Sequence, residues 1–151
     1  MKNFSFSLSE VPQQWAVCFR ADCPLAERCQ RRQAAELMAE MSPQPVRKAV
    51  CVTPLAYSGD HCTMFTEPKS EKRAWGFSTL YDGVPRRMYP QIKAAMMRYL
   101  CGQSTYYRYN SGEKTLSEQQ QQWIAGLFRS HGITLPLAFD HYKRVTVFHQ
   151  D

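Results

Sequence analysis

Apolar residues recur along this chain at spacings that switch between the period of a strand and that of a helix. Phe4, Phe6 and Leu8 alternate with polar neighbours, which predicts a short strand over Asn3–Leu8. Val11 to Trp15 reads as a turn or a one-turn helix. Pro24 to Met41 is rich in helix formers and sets Leu25, Ala34, Leu37, Met38 and Met41 on one face. Pro24 suits the first helical position, where its missing N–H has no partner to lose. Ser42-Pro43-Gln44-Pro45 stops that helix.

Val46–Leu55 predicts a strand centred on Val50, Cys51 and Val52. Tyr57 to His61 is turn chemistry, and Ala74–Leu80 is read as a short helix. A second long helix starts at Arg86 or Pro90 and runs to Leu100, with Ile92, Ala95, Met96, Tyr99 and Leu100 as its apolar stripe. Thr105 to Tyr109 alternates like a strand, ended by the turn Asn110-Ser111-Gly112. Ser117 and Gln120 form a capping box before Ile124, Leu127 and Phe128, and Gly132 closes that helix. Pro136 to Tyr142 reads as a last helical turn, and Val145–Phe148 as a terminal strand. Together these elements predict an α+β fold: one compact domain over 1–151, helix-dominated with a few short strands. A cysteine-cluster part covers about 1–66 and a basic helical part about 67–151.

Composition supports a packed core, because 44% of the 151 residues are hydrophobic. No apolar run approaches the ~20 residues that a bilayer requires. The start of the chain lacks the continuous apolar stretch of a signal peptide. A cytoplasmic protein with no membrane partner is therefore expected, with its thiols kept reduced.

Charge points to acidic partners. The net charge is +6, and between Gly83 and Gly112 lie Arg86, Arg87, Lys93, Arg98 and Arg108 with no Asp or Glu among them. Tyr106 and Arg108 share one face of the predicted strand, so a ring could stack on a base while arginine holds phosphate. Nucleic acid or an acidic protein is the expected partner of Arg86, Arg87, Lys93, Arg98, Tyr106 and Arg108. The plainer alternative is a solvated basic face beside a strand whose tyrosines pack on neighbouring helices.

The densest chemistry is at the cysteines. Cys18, Cys23 and Cys29 fall within one short stretch, and Cys62 follows the turn Gly59-Asp60-His61. A structural zinc wants four Cys or His ligands in a tetrahedron. Cys23 at a helix start would be stabilised as thiolate by the free N–H groups there. Cys62 is the expected fourth ligand, with His61 as the substitute. An iron–sulfur cluster on the same thiolates, two disulfides, or free buried thiols are the alternatives. Cys51 and Cys101 are expected to be small buried side chains. Four thiolates would close the coordination of zinc and leave no open position for water, so the site reads as scaffold and the protein as no enzyme. Asp60-His61-Cys62 does not argue otherwise, since three consecutive side chains do not face one another as a catalytic triad. Nucleotide-binding glycine loops and the metalloprotease helix motif are both missing.

Cys18, Cys23-Pro24, Cys29 and Cys62 with Phe65, then Thr105 to Tyr109, Gly112-Glu113, Leu116-Ser117, Gly132 and Phe139-Asp140 with Tyr142, form a combination that covers nearly the whole chain. In this combination the chain resembles an uncharacterised family of short cysteine-cluster proteins, a domain of unknown function common in gut anaerobic bacteria. The resemblance implies that Cys62, and not Cys51 or Cys101, belongs with the cluster. It implies no activity. Three functional readings remain: a metal-stapled binding or regulatory protein, an interaction module with an exposed aromatic patch at Trp75, Phe77 or Tyr106, and a thiol redox or iron–sulfur sensor.

Overall fold

The computed structural model describes residues 4–41, 48–134 and 136–149. It is an α+β structure with four α-helices and two two-stranded sheets among the described residues. The chain divides into two compact units, one formed by Met1–Ser70 with Thr146–Asp151 and the other by Glu71–Val145.

The first unit is built around α1 (Gln30–Glu40) and the hairpin of β1 (Tyr57–Ser58) and β2 (His61–Cys62). Its core is Phe6, Trp15, Val17, Ala34 and Ala35. Phe148 meets Phe6 and Trp15 edge-on, with ring centroids 5.2 and 5.0 Å away. The Trp15 indole N–H donates to the His149 carbonyl at 2.9 Å. Gly59, at φ +60°, occupies the first central position of the tight β1–β2 turn, which an L side chain would strain.

Several expectations fail in this unit. No strand forms over the described part of Asn3–Leu8; Phe6 reaches the core from a bend, and a 3-10 turn follows at Leu8–Glu10. The helix does not begin at Pro24. A 3-10 turn over Ala26–Arg28 ends at Cys29, whose extended backbone (φ −92°, ψ 116°) makes it the N-cap of α1. The expected helix stop, Ser42 to Pro45, and the start of the strand at Val46 lie outside the described residues. The described remainder of that stretch forms a single parallel bridge, Val17 to Cys51, and a 3-10 turn at Pro54–Ala56. Cys51 is exposed rather than buried, as is Cys101.

The second unit carries α2 (Tyr89–Tyr99), α3 (Gln103–Ser111) and α4 (Glu118–Ser130), with β3 (Lys69–Trp75) paired to β4 (His141–Val147). Ile92 and Met96 of α2 and Ile124 and Phe128 of α4 are fully buried, on the faces their spacing predicts. Each such side chain stabilises the fold by about 1.5–3 kcal/mol through burial alone. Both halves of the capping box form: Gln120 N–H donates to Ser117 Oγ at 3.2 Å, and Ser117 N–H donates to Gln120 Oε1 at 2.9 Å.

Two segments switch type. Ala74 to Leu80 is no helix; Ala74 and Trp75 end β3, and Gly76 at φ +83° turns the chain. Thr105 to Tyr109 is helical, inside α3. Gly102 (φ +115°) precedes that helix, Gly112 in the left-handed region closes it, and Tyr106 is its buried residue. Pro136 to Tyr142 gives no helical turn, since β4 begins at His141.

Candidate functional site

Cys18, Cys23, Cys29 and Cys62 all line one cavity of about 10 Å³ in the first unit. That is the space of about one water molecule. Cys18 and Cys29 are buried, and Cys23 and Cys62 are half-buried. Each is set by backbone geometry. Cys18 N–H donates to the Arg31 carbonyl at 3.0 Å, and Val17 beside it is held on both sides by Val50 and Val52. Cys29 caps α1, accepting from Arg32 and Gln33 N–H at 3.1 and 3.0 Å. Cys62 lies on β2, opposite Tyr57. The cysteines are free, and among the described residues no three Cys, His, Asp or Glu side chains are grouped as a metal ion would need. The chain thus brings the four backbones to one cavity without converging the sulfurs on a single point.

Three arginines that sequence reasoning passed over line the same cavity: Arg20, Arg31 and Arg32. Arg31 is 3% exposed. Its Nη1 donates to the Ala16 carbonyl at 2.8 Å and its Nε to the Met64 carbonyl at 2.9 Å, while its guanidinium lies over the Trp15 ring. It therefore ties the segments leading to Cys18 and following Cys62 to the first turn of α1. Arg20 sits over the Tyr57 ring at 4.3 Å and donates to the Gly59 carbonyl. Arg32 pairs with Glu36, yet its Nε is buried without a hydrogen-bond partner among the described residues. The sequence signal for Arg31 was its place two residues after Cys29, which only the N-cap role of Cys29 makes meaningful.

The residues expected to meet an acidic partner are placed unevenly. Arg86 and Arg87 are exposed in the turn before α2, and Arg98 is exposed on α2. Arg108 is tied to Glu113 at 2.7 Å. Tyr106 is 3% exposed and packs in the core, so its ring is not offered to a base. The expected pairing of Tyr106 with Arg108 on one strand face falls with the strand. The aromatic patch fails similarly: Phe77 is buried, and Trp75 stacks on His141 with centroids 5.1 Å apart. Lys93 instead stands among tyrosines, 5.6 to 5.7 Å from the ring centroids of Tyr89, Tyr106 and Tyr107.

Asp140 anchors the loop beside this group. Ser78 and Thr79 each donate a backbone N–H and a hydroxyl to its carboxylate, the N–H contacts at 2.9 and 2.8 Å. Burial alone would raise its pKa, but these four donors outweigh it and hold the carboxyl well below the usual range.

Residues 1–146 match the family described as "Family of unknown function (DUF6078)", and the chain belongs to it. No curated protein and no solved structure matches the chain. Among the described residues no helix is long and apolar enough to cross a membrane.

Proposed function

We propose that this is a small non-enzymatic binding protein whose first unit is stapled by a structural zinc ion on Cys18, Cys23, Cys29 and Cys62. The observation that carries the reading is the sorting of the six cysteines. Those four line one water-sized cavity, while Cys51 and Cys101 are exposed and lie outside it. Zinc would draw the four sulfurs in to about 2.3 Å. Arg20, Arg31 and Arg32 offset the negative charge of four thiolates, and the unpartnered Arg32 Nε is a ready donor to sulfur. A tetrahedron of thiolates is saturated, so the ion stabilises the unit and activates no water. Binding chemistry then falls to the second unit.

Cobalt(II) tests this reading. Added to the metal-free protein, it should give intense thiolate-to-cobalt absorption and the visible bands of a tetrahedral ion. Cys62→Ser should weaken both, and His61→Ala should leave them unchanged. Absence of thiolate-to-cobalt absorption, or equal spectra from the Cys62→Ser variant, would overturn it.

A further inference from the structure

The second unit holds an open cavity of about 530 Å³, within the range of small-molecule sites. Its walls come from four places in the chain, Asp140 before β4 among them. Tyr81 follows β3, Tyr89 and Lys93 lie one turn apart on α2, and Tyr106 and Tyr107 are adjacent on α3. The Tyr81 and Tyr106 hydroxyls are 2.9 Å apart, and Tyr81 and Tyr89 meet edge-on at 4.7 Å. Lys93 Nζ donates to the Tyr107 hydroxyl at 3.4 Å. That is a long contact, so the ammonium keeps donor capacity for another partner.

The Lys93 ammonium decides what that partner is. Lys93 forms no ion pair among the described residues. Asp140, the one carboxylate among the described lining residues, keeps its charge, but its oxygens are turned to the Ser78 and Thr79 donors and not to Lys93. Lys93 thus presents an unpaired cation beside the exposed rings of Tyr89 and Tyr107. Burial first, then the mutual hydrogen bond, raises the Tyr81 phenol above its ordinary range, and burial raises Tyr106. The neighbouring Tyr89 hydroxyl raises Lys93. The Tyr81 and Tyr106 hydroxyls are engaged with each other and with Met96 Sδ, so the donors left for a ligand are the Lys93 ammonium and the Tyr89 and Tyr107 hydroxyls.

We infer that the cavity lined by Tyr81, Tyr89, Lys93, Tyr106 and Tyr107 binds a small organic anion, with a carboxylate or phosphate head on Lys93 and a planar body against the exposed rings of Tyr89 and Tyr107. This deepens the binding role proposed above and is independent of the metal. Acceptor-only oxygens match the Lys93 ammonium and the phenol protons beside it, and a flat ring gains most from tyrosine faces.

Calorimetric titration with phenyl phosphate, benzoate and the neutral benzyl alcohol tests it, the two anions separating phosphate from carboxylate. At least one anion should bind saturably, and benzyl alcohol should not. Lys93→Met should weaken that anion by about 10-fold or more, the effect of losing one charge-assisted hydrogen bond. Lys93→Arg should retain most of the affinity, and Tyr107→Phe, at an exposed position, should lose a few-fold. Near-ultraviolet circular dichroism checks the fold of each variant. Failure of both anions to saturate the wild-type protein would overturn the inference, and so would equal affinity in a folded Lys93→Met variant. Zinc content is read separately, so either proposal can fail alone.

Discussion

Gly76 and Asp140 compete for one space: a Cβ added to Gly76 would stand 2.6 Å from both the Cβ and the Oδ2 of Asp140. Their backbones are also joined, with Asp140 N–H donating to the Gly76 carbonyl at 3.1 Å. Gly76 sits at φ +83°, so a side chain there would carry backbone strain as well as the clash. Gly76→Ala should destabilise the second unit by about 3 kcal/mol. Urea unfolding monitored by tryptophan fluorescence measures it, and a change within error would show that the loop relaxes freely.

Asp140 also sets a pH dependence. Its folded pKa is lowered by the Ser78 and Thr79 donors, so the unfolded chain binds the proton more readily. Its contribution is therefore fully present above about pH 4 and is lost as pH falls below that toward the folded value. Asp140→Asn should remove this slope and cost about 1 kcal/mol at pH 7, a figure reduced for partial exposure. Unfolding curves across acid pH for both proteins check it; parallel curves would contradict it.

Arg31 should act as the framework of the cysteine cavity. Arg31→Met keeps an unbranched apolar stem but strands the Ala16 and Met64 carbonyls. A loss of about 2–4 kcal/mol is expected. In the metal-free protein, Cys18 and Cys29 should also react faster with a thiol reagent. Unchanged reactivity with reduced stability would confine Arg31 to packing.

The capping box of α4 gives a simpler test. Ser117→Ala should cost about 1 kcal/mol, since one N–H of the first turn loses its acceptor. A thermal melt reads this directly.

That capping box was legible because its signal is local: two residues, three positions apart, with a fixed partner for each donor. The stripe of Ile92 and Met96 was legible for the same reason. Thr105 to Tyr109 misled because β-branched and aromatic residues favour strands when nothing else decides. Here Gly102 and Gly112 bound a helix, and burial of Tyr106 against Phe77 and Tyr81 outweighs propensity. The tyrosine cavity was invisible as a consequence. Read as a strand, Tyr106 and Tyr107 face opposite ways; on α3 both join Tyr89 and Lys93. β3 was missed because Lys69, Ser70, Glu71, Lys72 and Arg73 have no apolar alternation to reveal a strand. The grouping of Cys18, Cys23, Cys29 and Cys62 could be read from close spacing and the Gly59 turn. The arginines around them could not, because Arg31 faces the cavity only once Cys29 is an N-cap.

A zinc ion on Cys18, Cys23, Cys29 and Cys62, as proposed, is read by elemental analysis of protein purified without air, with thiols counted before and after chelation. One equivalent of zinc is expected, with Cys51 and Cys101 titrating at once and the other four only after zinc is removed. Protein without metal, or with iron and sulfide in place of zinc, or with all six thiols titrating freely from the start, would contradict it.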